Sequence, residues 1–184
     1  MIHLVNYLKD TKMQGVTMDP ESNKSFEVYA DADYCGNWHR PTAGNDPRTA
    51  KSRTGYAILY AVCLVIWCSK LKTQIVLSTR EAEYISLSQP LCNTIPMMQL
   101  LREKKANGFP TLSTIPELHC RASEENSGAL ELACTPKIRP RTKHINQVYH
   151  HFQDFVRNDR IQIFAIESVN QISDIFKKIL GTSE

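Results

Sequence analysis

Ser25-Phe26-Glu27-Val28-Tyr29-Ala30-Asp31-Ala32-Asp33 decides how this chain folds. Phe26, Val28 and Ala30 alternate with Glu27, Tyr29 and Asp31, the period of two of a strand with unlike faces. The strand runs into Asp33-Tyr34-Cys35-Gly36, so it delivers a carboxylate on rigid backbone where a sheet edge opens to solvent. Such an acid either caps a turn, for which Asp and Gly are the usual residues, or holds a metal. The rest of the chain tips the balance toward the metal.

Around this strand the composition leaves room for a real core. Of 184 residues 42% are hydrophobic and 22% charged, the proportions of an ordinary globular protein, and the length suits one domain with an appendage. A net charge of +3 is too small to argue for a nucleic-acid partner, so only local clustering can do so. The start, Met1-Ile-His-Leu-Val, lacks the basic and apolar regions of a signal peptide. The longest apolar run, Ala57 to Cys68, falls well short of the roughly 20 residues of a membrane helix. No membrane segment and no secretion are expected. Six cysteines without a secretory signal read as thiols of a reducing compartment, and no zinc-ligand spacing emerges.

Upstream, Ile2 to Lys9 reads as a short amphipathic helix, and residues 10–23 as a connector. Downstream, Thr54 to Tyr60 and Leu64 to Ser69 form a hairpin, although Ala61-Val62-Cys63 lacks residues that favour tight turns. Thr73 to Leu77 extends or follows the second strand. Ser78-Thr-Arg-Glu81 fits a capping box opening a long helix with Tyr84, Leu87, Leu91, Ile95, Met98 and Leu101 at helical spacing. Glu83 lies in its first turns, and Pro90 and Pro96 predict a bend or break. Leu118, Cys120 and Ala122 alternate in another strand, which ends on Glu124-Glu125-Asn126 before a short helix, Ser127 to Cys134. Lys137-Ile-Arg139-Pro-Arg141-Thr-Lys143-His144 is the one dense basic stretch, suited to phosphates or to simple solvation. Asn146 to Arg157 reads as helix and Ile161 to Ala165 as strand. Asn170 caps a last helix with Ile172, Ile175, Phe176 and Ile179 inward and Asp174 in its first turn.

Acids thus arrive from a strand end, a long helix, a second strand end and a late helix. They form either a salt-bridge cluster or a cage for two divalent cations. Converging carboxylates repel, and such an arrangement persists where cations neutralise it. Two Mg²⁺ ions about 4 Å apart would serve the attacking water and the leaving oxygen of a phosphodiester displacement.

Tyr29-Ala-Asp31-Ala-Asp33-Tyr, Lys51-Ser-Arg-Thr-Gly55-Tyr, Trp67-Cys-Ser69-Lys70, Leu77-Ser-Thr-Arg-Glu81-Ala-Glu83-Tyr84, Thr142-Lys-His144-Ile145 and Gln171-Ile-Ser-Asp174-Ile resemble, in order, the ribonuclease H domain of copia-type LTR retrotransposon polyproteins. Val5-Asn-Tyr-Leu-Lys-Asp-Thr-Lys resembles the stretch joining the reverse transcriptase to that domain. The resemblance implies residues 1–24 as a reverse-transcriptase remnant with its connector and residues 25–182 as an α/β, ribonuclease H-like domain. Its five-stranded mixed sheet, flanked by helices, would have three antiparallel strands followed by two parallel ones. It implies Asp31, Glu83, Glu125 and Asp174 as catalytic metal ligands, with Asp33 and Glu81 out of register. The implied ions are two Mg²⁺, with Mn²⁺ as the alternative. The implied reaction is hydrolysis of the RNA strand of an RNA–DNA hybrid. The reverse transcriptase of the same polyprotein would be a partner, and the compartment a cytoplasmic virus-like particle or the nucleus. Arg139, Arg141, Lys143 and His144 become candidates for contacting nucleic acid.

Three departures qualify this picture. The third ligand is usually Asp before Asn, whereas here it is Glu125 before Asn126; the extra methylene moves the carboxylate by roughly 1.5 Å. Ser173-Asp174-Ile-Phe-Lys177-Lys178-Ile-Leu180 stands where the family reads Ala-Asp-Ile-x-Thr-Lys-Pro-Leu, and Pro90 interrupts a helix. Weak cleavage, or a catalytically inactive relic that only binds nucleic acid, is therefore the alternative to an active nuclease. An integrase-type transferase fits less well, because the order of acids differs and no N-terminal His/Cys module is present.

Overall fold

The computed structural model describes residues 2–36, 38, 40–41, 45–73, 75–111, 118–135, 150–158 and 160–177. Strands β1 (Phe26–Asp33), β2 (Arg53–Tyr60), β3 (Cys63–Leu71), β4 (Cys120–Glu124) and β5 (Ile161–Ala165) form one sheet in the order β3-β2-β1-β4-β5. β1 pairs antiparallel with β2, and β2 with β3; β4 runs parallel to β1, and β5 to β4. This is the mixed sheet the sequence implies, with the founding strand at its centre.

The hairpin turn between β2 and β3 is tighter than expected. Ala61 and Val62 alone make it, with φ of 50° and 63°. That left-handed pair suits the twist of a two-residue hairpin but is costly for a β-branched valine. Main-chain bonds hold it: Ala61 N–H donates to Ser25 O, and Glu21 N–H to Ala61 O, both at 3.1 Å. After β3, the described residues 73 and 75–77 are irregular rather than extended.

Among the helices, α1 (Ile2–Thr11) buries no residue, and α2 (Thr79–Ala106) covers the sheet. Tyr84, Leu87, Leu91, Ile95 and Met98 share a core with Phe26, Val28, Ala30, Ile58, Cys120 and Ala122. Ser78 caps α2, its Oγ accepting from Glu81 N–H at 3.2 Å. The Glu81 carboxylate accepts from Leu77 N–H at 2.8 Å, one residue before the cap. The helix runs unbroken through Pro90 and Pro96, contrary to the expected break. Each proline removes a donor, but the buried stripe on both sides fixes the helix against the sheet and outweighs that loss. Helices α3 (Ser127–Cys134) and α4 (Gln153–Arg157) complete the layer.

The last helix departs from its expected form. Ser168–Asn170 is a single 3₁₀ turn, and α5 is the short Asp174–Lys177. Ile172 and Ile175 are exposed rather than inward. The buried residues here are Gln171 and Ser173, both polar, and the Gln171 amide binds main chain at Ala30 in place of an apolar stripe.

Candidate metal centre

The site grows from the register of the central strands. Phe26 lies level with Cys120, and Tyr29 with Ser123; two residues further, the same register sets Asp31 beside Glu125. On the other side Asp31 pairs with Gly55. A Cβ at Gly55 would lie 2.8 Å from Ser173 O and 3.0 Å from Lys177 N. The missing side chain therefore lets residues 173–177 settle onto the sheet beside Asp31. Gln171 fastens that segment, its Nε2 donating to Ala30 O at 3.0 Å. Asp31, Glu125 and Asp174 consequently each place a carboxylate oxygen within 4.8 Å of the others.

Helix α2 closes the site from the core side. Ser86 Oγ donates to Asp31 O at 2.6 Å, and Ala32 N–H donates to Glu83 Oε2 at 2.8 Å. Spaced three apart, these two side chains share one face of α2 and clamp it across the end of β1. Glu83 stands outside the group of three carboxylates yet acts electrostatically on Asp31. Asp33, which folds over Gly36, and Glu81, bound to Leu77, do not join it either.

No known protein-family model matches the chain. Over 178 residues, 97% of this chain and 11% of the relative, it is 27% identical to the retrovirus-related Pol polyprotein from transposon RE1 of Arabidopsis thaliana. Over 159 residues, 86% of the chain and 11% of the relative, it is 27% identical to the Pol polyprotein from transposon TNT 1-94 of Nicotiana tabacum. The chain thus spans 11% of the length of these curated relatives. Its fold matches the N-terminal ribonuclease H domain of rv2228c from Mycobacterium tuberculosis, solved as a fusion with maltose-binding protein. That match has a TM-score of 0.54 and 10% identity, and covers 84% of this chain and 91% of the other. The chain is similar in sequence to transposon Pol polyproteins and has the ribonuclease H fold.

Electrostatics divide the acids of this ribonuclease H-fold domain into two groups. In the outer group, burial and a hydrogen bond from Asp174 push Asp31 up to about 6, against the pull of Lys177. Lys177 Nζ is ion-paired with Asp31 and lies 3.0 Å from Asp174 Oδ1. Burial alone would lower the Lys177 pKa, but these two carboxylates raise it. Glu125 accepts a hydrogen bond from Ser168 Oγ. In the inner group, burial and then the charges of Glu124 and Asp31 push Glu83 up to about 9. Burial likewise raises Glu124 to about 8, although Asn126 N–H donates to its Oε1 at 2.9 Å. Lys72 is brought down to about 8 by burial, opposed by Glu83, Glu81 and Glu124, and its Nζ donates to Ala82 O.

The outer donor set fits a hard divalent cation: it is all oxygen, and a positive group, the Lys177 ammonium, already settles on it. Sequence reading passed over Lys177, Lys72, Glu124, Ser86 and Ser168. Two of them carried a signal. Glu124 continues the inward register of Cys120 and Ala122, and Ser86 repeats Glu83 at helical spacing. Arg139, Arg141, Lys143 and His144 lie outside the described residues.

Proposed function

We propose that residues 25–182 are a nuclease that hydrolyses the RNA strand of RNA–DNA hybrids, with residues 1–24 as the remnant and connector of a preceding reverse transcriptase. The meeting of Asp31, Glu125 and Asp174 oxygens within 4.8 Å carries this reading. Those three carboxylates, with Glu83 beside them, would hold two Mg²⁺ or Mn²⁺ ions. When bound, the ions activate a water for in-line attack on the phosphodiester and stabilise the leaving oxygen.

The chain's own residues do the positioning. Ser86 and Glu83 hold the carbonyl and the N–H of the one peptide group that joins Asp31 to Ala32, so the Asp31 carboxylate is held in place before any substrate arrives. Gly55 and Gln171 bring Asp174 to the same rim. Contacts to 2′-hydroxyls would separate RNA from DNA, and Arg139, Arg141, Lys143 and His144 would meet phosphates. The reverse-transcriptase portion of a longer polyprotein would be the natural partner, in a cytoplasmic particle or the nucleus. Among the described residues no helix is long and apolar enough to cross a membrane.

Glu125 supports a second reading, in which cleavage is weak and hybrid binding persists. Its longer side chain is engaged by Ser168 while it reaches the cluster. Incubation of the chain with a labelled RNA–DNA hybrid and Mg²⁺ or Mn²⁺ tests both readings. Cleavage that disappears in Asp31→Asn supports the nuclease; retention of hybrid without cleavage supports the second reading. Cleavage that survives in Asp31→Asn rules out this site.

A further inference from the structure

Lys177 sits where a metal would do its neutralising. It lies on the same face of α5 as Asp174, three residues on, and the bare backbone of Gly55 lets that face approach Asp31. Its ammonium pairs with Asp31 and stands 3.0 Å from Asp174 Oδ1. Asp31 is 1% exposed and so has little water to compensate its charge, whereas the Lys177 side chain is 17% exposed and retains a way out. Four methylenes make that stem flexible. A magnesium ion binds carboxylate oxygen at roughly 2.0–2.1 Å, so it cannot share these lone pairs with an ammonium already donating to them.

We propose that Lys177 is a tethered cation that fills the carboxylate cluster when no metal is bound and must swing out before a divalent ion enters. The inference rests on the metal-centre reading above and specifies its regulation. Metal affinity is then the intrinsic affinity reduced by the fraction of molecules in which the lysine is already withdrawn. The acids stay together without metal because the chain carries its own counterion. The cost is competition: divalent binding depends on displacing a charge that cannot diffuse away.

The test titrates Mn²⁺ into the full chain, its Lys177→Met variant and its Asp31→Asn variant by calorimetry at fixed pH and salt, with melting temperatures recorded alongside. Lys177→Met keeps the apolar stem and removes the charge. It should bind Mn²⁺ about tenfold tighter, as expected when roughly one molecule in ten of the parent is open. Its metal-free melting temperature should fall, and saturating Mn²⁺ should raise it more than in the parent. Equal or weaker binding by Lys177→Met, with binding still lost in Asp31→Asn, overturns the competition while leaving the metal centre intact. Absence of Mn²⁺ binding in every form overturns both. Lys177→Gln gives the same readout if the methionine variant does not fold. In the parent chain, the slowly exchanging lysine ammonium signal in ¹⁵N NMR that is missing from the Lys177 variant should vanish on saturation with Mg²⁺. Its persistence under saturation overturns the proposal.

Discussion

At the carboxyl end of the sheet Asp31, Glu125 and Asp174 face Lys177, while behind them Glu83 and Glu124 face Lys72. The ingredients are alike, a few carboxylates and one lysine, and what separates them is how each acid is neutralised. Glu83, Glu124 and Lys72 are all buried, and so is Asp31, but Asp31 has the Lys177 ammonium against it, and its neighbours Glu125 and Asp174 are exposed and partly exposed. Deep in a low-dielectric interior an acid loses charge more cheaply by keeping its proton than by finding a partner. With no metal bound, burial pushes Glu83 and Glu124 up to about 9 and about 8, so both keep protons at neutral pH. Asp31, raised only to about 6, keeps its charge at neutral pH and has Lys177 as its cation. The outer cluster would trade its lysine for a metal, whereas Glu83 would have to release a proton to join it, so the outer acids are where an ion enters.

The sharpest way to break that contrast is one substitution in each cluster. Asp31→Asn should reduce Mn²⁺ binding by about a hundredfold or more. Glu124→Gln, which replaces a protonated acid by its neutral isostere, should leave Mn²⁺ binding within about threefold. Equal losses in calorimetric titrations would merge the two clusters into one.

Gly55→Ala attacks the outer cluster without touching an acid. A Cβ there meets Ser173 O at 2.8 Å and Lys177 N at 3.0 Å, both backbone atoms. The segment must retreat, at a cost of about 1–3 kcal/mol in unfolding measurements. Asp174 moves with it, and hybrid cleavage should fall about tenfold or more. Cleavage at parental rate would mean that Asp174 contributes nothing from its place at the rim.

Glu125→Asp should do the reverse and raise cleavage by roughly three- to tenfold, because the shorter side chain leaves Ser168 and withdraws toward the strand. Unchanged initial rates would show that the extra methylene is already accommodated.

The contrast also marks how far sequence could reach. Alternation placed β1, β4 and β5, and the capping residue Ser78 marked the start of α2, because each is a local pattern of side chains on one element. Asp31, Glu125 and Asp174 were legible through motifs at strand ends and helix starts. The end of the chain was misread because its buried residues, Gln171 and Ser173, are polar, with Gln171 bonded to main chain, while Ile172 and Ile175 face out. The counterions were harder still. Lys72 gives no periodic hint, and Lys177 gains its role only when Gly55, over a hundred residues away, yields the space. Charge compensation is a property of the assembled rim, so no single stretch encodes it.

The pH dependence of stability is the subtlest separation of the clusters. Glu83 and Glu124 have ordinary values of 4.5 and folded values of about 9 and about 8. Between these limits the folded chain binds more protons than the unfolded one, so unfolding free energy falls as pH rises. Asp31, raised from 3.8 to about 6, adds to the acidic part of that decline. Lys72 works the other way, since its folded value of about 8 lies below the ordinary 10.5; it restores stability only above about pH 8. Urea unfolding of the metal-free chain should therefore show a steady loss from about pH 5 to about pH 8. Glu124→Gln should flatten that slope, since its amide has no proton to lose. A parental slope that rises over the same window would mean the inner acids are ionised and permanently paired with Lys72. Both clusters would then be balanced by a lysine, and the kind of neutralising group would no longer explain why only one of them is open to metal.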